Sequence, residues 1–238
     1  MRAFLSNPMA LILIAVMAFQ ALTSGQYSSP LDWLISNLMI LPGIVIGLSF
    51  HEYAHAVVAY KCGDPTPKRQ GRVTINPLAH VDPVGFIALL FIGFGWGKAV
   101  VINPRNFRKP RRDELLVSLA GVTMNLLLAF VFMGLFRLLY ELAPMFMFSQ
   151  MGGIVAEILF YIVWINLVLM VFNLLPIPPL DGFGVITQLF NLRGTRFYQV
   201  VYQNGFLILM VLILFNITGR ILSPAVNALY NLLGGIFF

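Results

Sequence analysis

The sequence predicts an all-α polytopic membrane protein, and three observations carry that expectation. Of its 238 residues, 59% are hydrophobic and only 10% charged, and the mean hydropathy is +0.87, values outside the range of ordinary soluble domains. Apolar runs recur at residues 9–22, 33–60, 115–139, 154–175 and 200–222, and all but the first approach or exceed the ~20 residues that a spanning helix needs. The basic residues gather in the short connections between those runs, where lysine and arginine mark the cytoplasmic face. With a last apolar stretch at 225–238, which completes a helix or lies along the interface, about six transmembrane helices are expected.

The run at 9–22 follows Arg2 and is short, but no small-x-small cleavage site comes after it. It therefore reads as a retained anchor with a cytoplasmic amino terminus. In the second run Pro42 lets the helix bend, and Gly43 and Gly47 let a neighbouring helix come close. Lys and Arg counted by connection give Arg2, none in 23–32, ten in 61–112, Arg137 alone, then Arg193 and Arg196. Alternating helices satisfy that bias only if the apolar piece 84–97 does not cross. At 14 residues, with Gly93, Gly95 and Gly97, it is expected as a re-entrant or membrane-surface element.

Residues 61–112 thus form one cytoplasmic-side region. Within it, 72–76 and 98–103 are β-branched and alternating enough to read as short strands of a small sheet. An open sheet edge beside a bilayer is costly unless it pairs with an extended peptide, and a plain amphipathic surface loop fits the composition equally well. The runs at 115–139, 154–175 and 200–222 complete a single domain over 1–238, with a core at 31–200. There is no internal repeat, no low-complexity segment and no connection long enough for a second folded domain. The net charge of +6 is explained by topology, so no nucleic-acid or nucleotide partner is implied. The single cysteine, Cys62, excludes an internal disulfide framework and a zinc site built of cysteines without other ligand types.

The chemistry begins with His51-Glu52-Tyr53-Ala54-His55, an HExxH pattern inside an apolar run. Helical spacing puts both histidines on one face, able to share a metal, with Glu52 beside them as a base. An idle ionisable group in such a run costs ~2.5 kcal/mol or more on insertion scales for charged types, so these residues are expected to bind zinc. A catalytic zinc takes three protein ligands and keeps a fourth position for water. The third ligand is sought among His80, Asp82, Glu157 and Asp181. Asp181 follows the proline-broken run Asn173-Leu174-Leu175-Pro176-Ile177-Pro178-Pro179-Leu180 and precedes Gly182. On its residues alone it is equally a ligand in an irregular segment or a cap for the next helix.

Four stretches together resemble the site-2 proteases, the intramembrane zinc metalloproteases. They are the HExxH pattern; Asn76-Pro77-Leu78-Ala79-His80-Val81-Asp82-Pro83 with Gly85; Gly121-Val122-Thr123-Met124-Asn125; and Asn173 to Gly182 with its Leu-Asp-Gly ending. The resemblance covers roughly 43–184. It implies one zinc per chain held by His51, His55 and Asp181, with Glu52 as general base in hydrolysing a peptide bond of a transmembrane protein substrate. It also implies that the strands near Asn76 face substrate, while the charge topology puts the active site toward the cytoplasmic side of the lipid bilayer. Asn125 and Asn173 match polar positions where an amide holds a substrate oxygen or a ligand's carboxylate, with helix-to-helix bonding as the alternative. Asn76 and His80 belong to the same substrate-side set, although His80 reads more readily as a structural loop histidine bonded to a backbone carbonyl.

The chain departs from larger family members in carrying neither a PDZ nor a CBS domain. It also has Ala99 after Gly95-Trp96-Gly97-Lys98, where the family often has proline, which leaves that edge open to pairing. The competing readings are a zinc transporter, another membrane hydrolase with HExxH such as a prenyl-protein protease, and a metal-binding scaffold without catalysis. A transporter or scaffold has no use for Glu52, and the other hydrolases more often take a Glu or His as third ligand.

Overall fold

The computed structural model describes residues 29–83, 85–86 and 97–238. The expected anchor at 9–22, and all but a few residues of the expected re-entrant piece 84–97, lie outside the described residues. The chain forms helices α1 (Pro30–Lys61), α2 (Thr66–Arg69), α3 (Pro110–Leu142), α4 (Pro144–Met147), α5 (Gln150–Asn173), α6 (Asp181–Leu189), α7 (Arg196–Leu214) and α8 (Ile217–Phe237). Two single 3-10 turns, Pro77–Ala79 and Pro104–Asn106, lie between α2 and α3. Four of the helices, α1, α3, α5 and α7, are long and apolar enough to cross a membrane.

Local chemistry sets the helix ends. Ser29 accepts from the Asp32 N–H and Pro30 opens α1; Ser149 accepts from Gly152 N–H to start α5, and Thr195 from Tyr198 N–H to start α7, so each side chain satisfies a donor the first turn leaves orphaned. At 33 residues, α3 is about 50 Å long, well beyond a hydrocarbon core of about 30 Å. Its charged first turn therefore extends past the lipid.

Helices α1, α3 and α5 pack against one another around the site. The expected close approach at Gly43 is made by α5, because a Cβ there would stand 2.8 Å from the Tyr161 carbonyl oxygen. A second contact region joins α3, α5 and α8 through Ala129, Met133, Val163, Leu167, Val226 and Leu233. The outer face of α3 exposes Leu126, Leu127, Phe130, Val131, Leu135 and Leu138, and α7 exposes Phe206, Leu207, Met210, Val211 and Leu214. Apolar faces this wide suit lipid, not water.

Two expectations need correction. The run at 200–222 is not one helix: α7 stops at Leu214, Asn216 adopts a left-handed conformation with φ 53°, and α8 begins at Ile217, so the stretch 225–238 continues α8. Asparagine tolerates that backbone because its short amide bonds locally. Four helices qualify as spans among the described residues, which leave out the run at 9–22 that counts toward the expected six.

The small sheet is also missing among the described residues, where 72–76 and 98–103 are irregular and a lone antiparallel bridge joins Val81 to Gly97. Side chains take the backbone groups a ladder would use. Glu52 accepts the Val100 N–H at 2.8 Å and Asp64 the Asn103 N–H at 2.7 Å. His80 Nε2 lies 2.7 Å from the Thr74 carbonyl oxygen, and Arg72 donates to the carbonyls of Ala79 and Lys98.

Candidate metal centre

The HExxH spacing works as expected, with both histidines projecting from one face of α1 and buried against α3. Room for two imidazoles against a helix backbone comes from Gly121. A Cβ at that position would lie 2.4 Å from His51 Cε1 and 2.5 Å from His55 Nε2, so any side chain there would occupy the space of the rings. The far nitrogens are fixed as well: His51 Nδ1 is 2.6 Å from Asn125 Oδ1, and His55 Nδ1 is 2.7 Å from the Val117 carbonyl oxygen. Both partners accept only, so each ring carries its proton on Nδ1 and presents a bare Nε2 lone pair, the arrangement metal-bound histidines use.

Asp181 arrives from the other side. The turn after α5 folds through Pro176, Pro178 and Pro179, with Leu175 and Leu180 packed on Leu209 of α7. Gly182 lets α6 start hard against this turn, since a Cβ there would meet the Leu174 carbonyl oxygen at 2.1 Å. The other end of α6 is held by Arg111, whose Nε donates to the Gln188 carbonyl at 2.7 Å and Nη2 to the Leu189 carbonyl at 2.9 Å. An arginine on the last carbonyls also suits the negative end of the helix. Asp181 is the first residue of α6 and does not act as its cap, Leu180 standing at the cap position with no side-chain bond there.

The result is a triangle. His51 Nε2 and His55 Nε2 are 3.0 Å apart, and Asp181 Oδ2 lies 3.3 Å from the first and 3.2 Å from the second. Donors on a tetrahedral zinc with bonds of ~2.0–2.1 Å stand ~3.3 Å apart, so the three atoms already have the spacing of one metal's ligands. Asp181 Oδ2 is also buried with no hydrogen-bond partner, a costly state that a cation relieves. These are the residues that come together as a metal-holding group among the described residues.

The other candidates go elsewhere. His80 is fully buried with its ring on Thr74, Asp82 Oδ1 accepts the Gly85 N–H, and Glu157 is exposed. Asn76 is exposed and caps the turn Pro77–Ala79, and Asn173 gives an amide N–H to the Leu169 carbonyl one turn back. Asn125 is completely engaged: besides His51 it bonds through Nδ2 to the Gly47 carbonyl at 3.2 Å and to Asn166 Oδ1 at 2.9 Å. Glu52 is half-buried, held by the Val100 N–H.

A match to the model of peptidase family M50 spans residues 39–215, which takes in every residue of the triangle and Glu52. The chain belongs to peptidase family M50. It is 41% identical to "Putative zinc metalloprotease YwhC" of Bacillus subtilis over 198 residues, 80% of this chain and 89% of that protein. Proteins of the same description are Rip2 of Mycolicibacterium smegmatis, 31% identical over 93% of this chain and 82% of its own length, and MJ0611 of Methanocaldococcus jannaschii, 30% identical over 73% and 80%. No solved structure gives a significant match. With its apolar helices and a triangle of side chains that could hold a metal, this family member is an intramembrane zinc metalloprotease of the site-2 type.

Sequence reasoning overlooked three parts of the site. Asn166 sits in an apolar run, two turns before Asn173, where a second amide within one span is itself a signal. Asp64 drew no reading from the sequence, yet it is fully buried and accepts from Asn103, Thr66 and Asn106. The Val117 carbonyl and Val100 N–H are backbone groups, which residue identity does not mark.

Proposed function

We propose that His51, His55 and Asp181 hold a single zinc and that Glu52 is the general base with which this family M50 member hydrolyses peptide bonds of transmembrane proteins. The ~3 Å triangle of bare donor atoms with a carboxylate on the adjacent residue carries this reading. Zinc bound there supplies a Lewis acid that lowers the pKa of water and draws negative charge from a scissile carbonyl. Glu52 takes the proton from the attacking water and returns it to the leaving amine, a role that asks for a carboxylate fixed in place. The Val100 N–H provides that fixing. Asn125 has no amide hydrogen to spare for a substrate oxygen, whereas Asn173 keeps one, and we assign it to the oxyanion. Asn76 and His80 shape the loop beside the site.

A substrate helix offers no free carbonyl until it unwinds. Residues 98–103 suit an unwound strand: Lys98, Ala99 and Val101 are exposed, backbone pairing of the segment to another stretch among the described residues is limited to the Lys98 N–H on the His80 carbonyl, and its own Val100 touches Glu52. Strand addition there places the peptide beside the base. The basic residues of 61–112 and Arg193 and Arg196 flank the ends of α1, α3 and α7 nearest the triangle, so the site faces the cytoplasm by the positive-inside rule. The whole chain acts as one peptidase domain.

The test is Glu52→Gln in purified protein reconstituted into liposomes with a transmembrane peptide. Retained zinc and cleavage reduced by about 10²–10⁴-fold are expected. Cleavage at the parent's rate would refute the base assignment, whereas no cleavage by either protein with zinc retained would reopen the reading of a zinc carrier.

A further inference from the structure

We infer that Asn166 is a positioning residue for the metal centre, acting through Asn125 as a two-amide relay that fixes His51 with its Nε2 lone pair toward the metal. The inference rests on the reading of His51 as a ligand. It concerns a residue on α5 that does not touch the metal-holding group.

The argument starts from direction. An amide has a donor end and an acceptor end of almost the same shape, so its orientation is decided by its partners. Asn166 is fully buried, and in lipid no water is present to satisfy it. Its Nδ2 donates to the Ile162 carbonyl at 2.8 Å, one turn back in α5. A backbone carbonyl in a helix cannot turn over, so this bond obliges Asn166 Oδ1 to face α3.

That oxygen accepts from Asn125 Nδ2 at 2.9 Å, while the second hydrogen of the same nitrogen goes to the Gly47 carbonyl at 3.2 Å. Asn125 is fully buried too. With both hydrogens drawn to oxygens on α5 and α1, its Oδ1 must face His51 Nδ1, at 2.6 Å. His51 Nδ1 then has to be the protonated nitrogen, and Nε2 is left bare. Turning Asn125 over would set its oxygen against those of Asn166 and Gly47 and its N–H against the His51 N–H.

The two histidines differ in how this is achieved. His55 takes its orientation from the Val117 carbonyl, a backbone group that cannot flip. His51 depends on a side-chain amide, which can. Asn166 supplies the lock that a backbone carbonyl supplies for His55, and it ties α1, α3 and α5 at the level of the metal.

The experiment measures zinc affinity by chelator competition on full-length purified protein for the parent, Asn166→Leu, Asn125→Leu and the double variant, with melting of the zinc-free proteins beside it. Partners that orient a metal's histidine typically change affinity 10–100-fold. Asn125→Leu is expected in that range and Asn166→Leu at about 10-fold. The double variant should bind no more weakly than Asn125→Leu alone. Parent-like affinity in Asn166→Leu, or an equal further loss when it is added to Asn125→Leu, would overturn the relay.

Should the leucine variant not fold, Asn166→Asp keeps an acceptor toward Asn125. It should hold zinc within a few-fold of the parent, and a 10-fold or greater loss would overturn the relay. His51→Ala separates the two readings: if zinc affinity survives it, the ligand assignment fails, whatever Asn166 does.

Discussion

Replacing Gly121 by alanine adds one methyl group at the place where α3 meets both imidazoles. The new Cβ would sit 2.4 Å from His51 Cε1, 2.6 Å from His51 Nδ1 and 2.5 Å from His55 Nε2, where ordinary contact begins at 3.4 Å. The rings or the helix must therefore give way by about 1 Å, and a displacement of that size at reacting groups can cost ~10²-fold. The strain in a packed core is about 1–3 kcal/mol, which four long helices can survive. The expected outcome is a folded protein whose melting temperature without zinc falls by a few degrees but whose zinc affinity falls at least ~100-fold, beyond the loss from a weakened second partner. Zinc content after dialysis against a graded chelator series is the assay, with circular dichroism to confirm the helices. Parent-like zinc retention in Gly121→Ala would refute the claim that this glycine makes the space for the ligands.

Other outcomes follow from the same geometry. Gly182→Ala puts a Cβ 2.1 Å from the Leu174 carbonyl oxygen and should shift the start of α6, lowering zinc occupancy to the level of Asp181→Ala in metal analysis. Removing zinc with a chelator should stop cleavage and lower the melting temperature, and restoring zinc should return both. A ligand that binds only the folded state at 100 times its Kd adds about 2.7 kcal/mol, so a melting temperature unmoved by chelation would speak against a metal that joins α1 to α6.

Asp64 gives a pH prediction outside the spanning segments. Burial pushes its carboxyl up, but the Asn103 N–H, the Thr66 hydroxyl, the Asn106 amide and the Thr66 N–H outweigh burial and leave it below the usual carboxylate range. A depressed pKa stabilises the folded state at pH above the unfolded value, and that stabilisation is lost as pH falls through the folded one. Protection of residues 98–106 from hydrogen exchange, measured against the intrinsic rate at each pH, should therefore be high at neutral pH and fall on acidification, with Asp64→Asn poorly protected throughout. Equal protection in the two proteins at neutral pH would contradict this role.

What the sequence disclosed of the site was its periodic part. His51, Glu52 and His55 lie four or fewer residues apart on one helix, so spacing alone places them together. Asp181 is 126 residues beyond His55, and on its own residues it stayed divided between ligand and cap until a resemblance favoured the ligand. The apolar runs located α1, α3 and α5, because lipid demands long unbroken stretches. The break at Asn216 escaped because both sides of it are apolar, and only the backbone records the turn. The strands at 72–76 and 98–103 were misread for a related reason. Their β-branched alternation is real, yet Glu52, Asp64 and Arg72 claim the backbone groups a ladder needs. Asn166 was hidden by surroundings that read as ordinary span.

X-ray absorption at the zinc edge of the purified protein bears most directly on the centre. Two imidazole nitrogens with carboxylate and water oxygens at ~2.0–2.2 Å, one zinc per chain, and loss of one imidazole in His51→Ala are the predicted result. A zinc–sulfur distance of ~2.3 Å, which would bring in Cys62, or an unchanged spectrum in both His51→Ala and Asp181→Ala, would contradict it.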